Sequence, residues 1–133
     1  MAAVCAGVLA WHVPALFDAA LDSLPLHMME HLTFAVVAWL FWRVVLVREE
    51  SEPVLIVMVF TTMLYTGILG VLMIFAGSVW YPQYAGAHGL TALQDQQLAG
   101  TVMWVPMNAL LFLVLLQLGY RWLSREQAPA PSI

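Results

Sequence analysis

His27 and His31 stand four residues apart, so on a helix their rings stack about one turn apart on one face and can share a metal ion. His12 lies upstream and supplies a third nitrogen in reach of the same end of the molecule. Met28 follows His27 directly, and Met103 and Met107 repeat the i, i+4 spacing late in the chain. Thioethers favour Cu(I) over harder ions, so imidazoles together with methionines suggest copper, with Met28, Met103, Met107 and His88 as further candidate ligands. Glu30 and Asp95 are the carboxylates placed to accept ring N–H groups behind the ligating nitrogens. Each of these residues also has an ordinary role. A single histidine near a membrane surface satisfies itself on headgroups, water or carbonyls, and methionines in an apolar chain are mostly packing. Asp95 equally suits a helix N-terminus. The His27/His31 pair is the element for which metal binding is the better reading.

The elements that carry these groups follow from composition. Of 133 residues, 63% are hydrophobic and 9% charged, more apolar surface than one small soluble core can hide. The apolar runs are continuous rather than alternating, which in lipid selects helices over a β-barrel. Crossing ~30 Å of hydrocarbon takes about 20 helical residues, so the expected fold is all-α: a polytopic bundle of about four transmembrane helices in one domain, residues 1–125. Residues 126–133, with Pro129 and Pro131, are expected to form a disordered tail. A net charge of −4 without lysine provides no basic patch for nucleic acid, and lipid is the expected surrounding. The lone Cys5 rules out an internal disulfide.

Along the chain, a first apolar run from Ala2 to about Val13 is stopped at Pro14, and the stretch Ala15 to Leu21 reads as a short amphipathic helix at the interface. Ser23 and Pro25 open a helix that runs to Val47, and Ser51-Glu52-Pro53 opens the next, whose run from Val54 to Ala76 carries no charge. Gly67 and Gly70 allow close helix approach. From Gly77 onward Trp80, Tyr81 and Tyr84 suit a headgroup-level belt, and Thr91 with Gln94 resembles a capping box that starts a last helix near Ala92, kinked at Pro106. Arg48, Arg121 and Arg125 share one side of this arrangement, with Arg43 reaching toward it, and all four histidines lie on the other. The positive-inside rule then puts both termini in the cytoplasm and the histidines outside.

Two stretches resemble a known family: Trp11-His12-Val13-Pro14-Ala15-Leu16-Phe17-Asp18 with Leu26-His27-Met28-Met29-Glu30-His31-Leu32, and Asp95-Gln96-Gln97-Leu98-Ala99-Gly100 leading into Met103-Trp104-Val105-Pro106. With the aromatic loop Tyr81-Pro82-Gln83-Tyr84-Ala85, they are similar to the multi-span CtaG-type cytochrome c oxidase assembly factors of bacteria. The resemblance implies a non-enzymatic protein of the inner membrane that helps mature a haem-copper oxidase, handling copper on its periplasmic face, with His12, His27 and His31 at the family's histidine positions. The family usually carries further helices ahead of this region, which implies an oligomer or partner helices in their place. Two other classes compete with this expectation. One is a redox protein holding b-type haem between helices, which a Soret band would reveal; the other is a metal-free accessory subunit of a respiratory complex.

Overall fold

The structure is a computed structural model that describes residues 2–47, 50–82 and 89–126. It is helical throughout its regular elements: α1 (Ala2–Trp11), α2 (Pro14–Asp22), α3 (Leu24–Val47), α4 (Glu52–Ile74) and α5 (Ala92–Glu126). Pro14 is the break between the first two. It forces Val13 into an extended conformation (φ −67°, ψ 124°), and the last turn of α1 tightens into His12 N–H to Leu9 O and Val13 N–H to Ala10 O bonds of 3.1 Å each.

Among the described residues three helices are long and apolar enough to cross a membrane, α3, α4 and most of α5. The expected number was about four, against these three. At 10 residues α1 is about 15 Å long, half the hydrocarbon thickness. The boundaries expected for the long helices are otherwise reproduced. Thr91 and Gln94 form the reciprocal box, with the Thr91 N–H donating to Gln94 Oε1 at 2.9 Å and the Gln94 N–H to Thr91 Oγ1 at 3.3 Å. Ser51 occupies the cap of α4 in extended geometry without a side-chain bond. The helix of α5 runs unbroken through Pro106, and the expected tail beyond residue 126 lies outside the described residues.

The buried positions of α4, Leu55, Met58, Val59 and Thr62, recur at i, i+3, i+4 and i+7, the stripe of a helix with one face against protein and the rest against lipid. They meet Phe41 and Val45 of α3 and Leu111 and Leu118 of α5 to make the core. Large exposed side chains such as Leu46, Leu64, Phe75 and Leu113 ring this core on the outside, as a lipid surround requires.

The closest helix pair is α4 with α5. Without a hydrophobic drive between apolar helices in lipid, small residues must let backbones approach. A Cβ on Gly70 would lie 2.5 Å from Trp104 Cβ, and one on Gly100 would lie 2.8 Å from Met73 Cβ. The core and the ion pair between Arg125 Nη1 and Glu52 Oε1, 2.7 Å, close the bundle at its basic end. At the other end α1 and α2 sit against α3, and two cavities open between the helices.

Candidate functional site

On α3 the rings of His27 and His31 meet edge to face with centroids 4.5 Å apart, and their Nε2 atoms are 3.1 Å from each other. One ring donates Nε2–H to the lone pair of the other. Replacing that shared proton by a metal would leave both lone pairs on one ion: nitrogens bound tetrahedrally at ~2.0–2.1 Å stand ~3.3 Å apart. Glu30 is buried on the same helix, and its Oε2 is 3.7 Å from His27 Nδ1, on the side of the ring opposite the shared edge. The His27 side chain is 43% exposed, so an ion reaches the pair from solvent without rearrangement. Met28 is exposed, and one residue beyond His27 it lies ~100° round the helix, off the shared face.

His12 does not join them. Its ring packs against Phe34 with centroids 6.0 Å apart, and Phe34 is seven residues, or about 10 Å, further along α3 than His27. Among the described residues no three His, Cys, Asp or Glu side chains are gathered closely enough to hold one metal ion. The expected convergence of three imidazoles is therefore replaced by a shallow pair and a separate, deeper ring. His12 Nδ1 donates to Val8 O at 2.8 Å; a carbonyl can only accept, so the proton is on Nδ1 and Nε2 is the nitrogen left with a lone pair. His12 lines a cavity of about 360 Å³ together with Met103 and Met107, and a second of about 320 Å³ together with Met103 and Asp95.

Asp95 lies in the first turn of α5, where its charge complements the helix N-terminus. The two residues after it act on the loop that follows α4. Gln96 is buried, accepting from the Trp80 N–H at 2.6 Å and donating to Ser78 O at 3.3 Å, while Gln97 donates to Ala76 O at 3.5 Å. Tyr81 completes this clamp and corrects its assignment to a headgroup belt. It is buried, its ring is 4.5 Å from Phe17 between centroids, and its hydroxyl donates to His12 O at 2.6 Å. The residue type could not distinguish a belt tyrosine from an anchoring one; the nearby polar run Asp95-Gln96-Gln97 was the signal for a pinned loop. Tyr84 and His88 lie outside the described residues.

Burial, and then the Asp18 carboxylate nearby, push the Tyr81 phenol above its usual value of 10.0. The folded state thus holds the phenol's proton more tightly than the unfolded chain does. Its stabilisation is complete below about pH 10 and declines as pH rises through the raised value. Tyr81→Phe should cost about 1–3 kcal/mol by stranding the His12 carbonyl, and should flatten that alkaline decline. Thermal unfolding in detergent across pH 8 to 12, on a roughly one-unit grid, checks both parts.

The charges around the site have one sign. Asp18, Asp22, Glu30 and Asp95 stand at the histidine-bearing end, while Arg43, Arg121 and Arg125 lie toward the other, a distribution that draws cations to the imidazoles. These features define a polytopic helical membrane protein in which the described histidines His12, His27 and His31 lie toward one end. The family model of the cytochrome c oxidase caa3 assembly factor, of the CtaG type, matches residues 1–125, and the chain belongs to that family. It is on this basis a cytochrome c oxidase assembly factor. No curated protein and no solved structure matches the chain.

Proposed function

We propose that the protein assists oxidase assembly by binding copper at its histidine-bearing end, on the periplasmic face of the bacterial inner membrane, and passing it to a haem-copper oxidase subunit. The observation that carries this reading is the 3.1 Å approach of His27 Nε2 to His31 Nε2. That distance suits two ligands of one ion, and the exposure of the pair suits an ion that must be handed on. Transfer is ligand exchange: an incoming donor from the oxidase displaces one imidazole while the other still holds the ion. The role is non-catalytic. A haem held between helices would need histidines facing one another from two elements, whereas this pair shares α3.

Purified protein should bind Cu(I), and the variant with alanine at His27 and His31 should lose the ion held at that pair. Unchanged copper content and affinity in that variant would overturn the reading. Glu30→Gln keeps the shape of the site but removes the carboxylate facing His27 Nδ1, and should weaken Cu(I) affinity about 10–100-fold. Competition against a chromogenic Cu(I) chelator measures it.

A further inference from the structure

We infer a second Cu(I) site at the larger cavity, formed by His12 Nε2 with the sulfurs of Met103 and of Met107, itself 43% exposed, and distinct from the His27/His31 pair. The inference deepens the copper reading above and rests on it for the identity of the ion. Three observations lead to it.

The first is the state of His12. Ligating histidines almost always donate their other ring N–H to a carbonyl or carboxylate, which fixes the tautomer and aims the free nitrogen. His12 already has that arrangement through Val8 O, on its own helix, so Nε2 is committed to no partner of that kind. The second is placement. His12 and Met103 line both cavities, and Met107 lines the larger one. Met103 and Met107 are one turn apart on α5, so their thioethers project toward the same side. The third is chemistry. The larger cavity is walled mostly by apolar side chains such as Phe34, Val37 and Leu69, and the hydroxyls of Thr62 and Thr66 on its wall are tied to carbonyls of their own helix. A neutral imidazole and two thioethers form a soft donor set suited to Cu(I), whose single charge costs less in an apolar setting than a divalent ion.

The site also lies in series with the outer pair. Phe34, against which His12 packs, follows His31 by three residues on α3, so the cavity donors begin about one turn further along α3 than the pair. An ion captured at the pair has a second set of candidate ligands along the same face.

Anaerobic Cu(I) titration of the detergent-solubilised protein against a chromogenic chelator tests this with two double variants. M103L/M107L preserves volume and apolarity, so it should fold while losing one of two bound Cu(I). H27A/H31A should lose the other, and X-ray absorption of its remaining Cu(I) should show sulfur neighbours together with an imidazole. Wild-type stoichiometry and affinity in M103L/M107L, or a sulfur-free copper environment in H27A/H31A, would overturn the cavity site. Loss confined to H27A/H31A leaves the reading of the histidine pair standing and removes the cavity site. Loss confined to M103L/M107L does the reverse, and a wild-type protein that binds no Cu(I) removes both.

Discussion

Cells whose only copy of this protein carries alanine at both His27 and His31 should contain the protein in the membrane at its normal level but assemble little active oxidase when copper is scarce. The folded state should tolerate the change, because the pair is solvent-facing and its contacts are with each other and with the edge of Glu30. Loss of an outer carboxylate alone costs about 10–100-fold in metal affinity, so loss of both nitrogen donors should cost more. At limiting copper the delivered fraction falls with occupancy, and oxidase activity should drop at least about 10-fold. Added copper should restore part of it by mass action. Each single alanine variant should give a smaller defect, since one imidazole remains. Oxidase activity in membranes, measured across a copper series beside the amount of variant protein, decides the matter; full activity at low copper would sink the delivery role of this pair.

Gly100→Val should disrupt the bundle itself. The first added carbon would meet Met73 Cβ at 2.8 Å and the Gly70 carbonyl oxygen at 3.1 Å, and neither a Cβ nor a backbone oxygen can swing aside. Helices α4 and α5 would have to separate. Overpacking of this kind costs about 1–3 kcal/mol where the surroundings yield, and here two backbones must move, so the upper end is expected. The damage should reach the site. Gln96 lies one turn before Gly100 and holds the loop that carries Tyr81, and Met103 lies about one turn after it. Gly119→Ala is the matched control: its Cβ meets nothing within 4 Å, and the change should be neutral or stabilise the helix slightly. Unfolding of both variants in mixed detergent micelles compares them directly, and equal stability would contradict the close crossing.

Much of the fold could be read from local chemistry. The Thr91/Gln94 box, the break at Pro14 and the uncharged run in α4 are signals that act within a few residues, and each element begins or ends where they indicate. The His27/His31 pair belongs to the same category, because i, i+4 neighbours meet on any helix. Tyr81 departs from its expected place for the opposite reason. An amphipathic ring near a membrane surface fits a headgroup belt by type, and only the arrival of the α1/α2 junction beneath it, 69 residues earlier in sequence, turned it into a buried anchor. The methionines show a similar limit: their spacing was visible in α5, but the histidine they accompany was not.

The sequence alone therefore determined that this is a helical membrane protein, where its long helices start and stop, that His12, His27 and His31 lie toward the end opposite Arg121 and Arg125, and that two of those imidazoles touch. All of these depend on hydrogen bonds and periodicity within single segments. The tertiary structure decided that His12 packs on Phe34 and lines a cavity that Met103 and Met107 also line, and that Gln96 and Tyr81 pin the loop after α4. Those outcomes depend on how deeply α1 descends along α3 and how closely Gly70 and Gly100 let α4 and α5 cross. Such distances between segments are set by packing of side chains far apart in the chain, which no local pattern encodes.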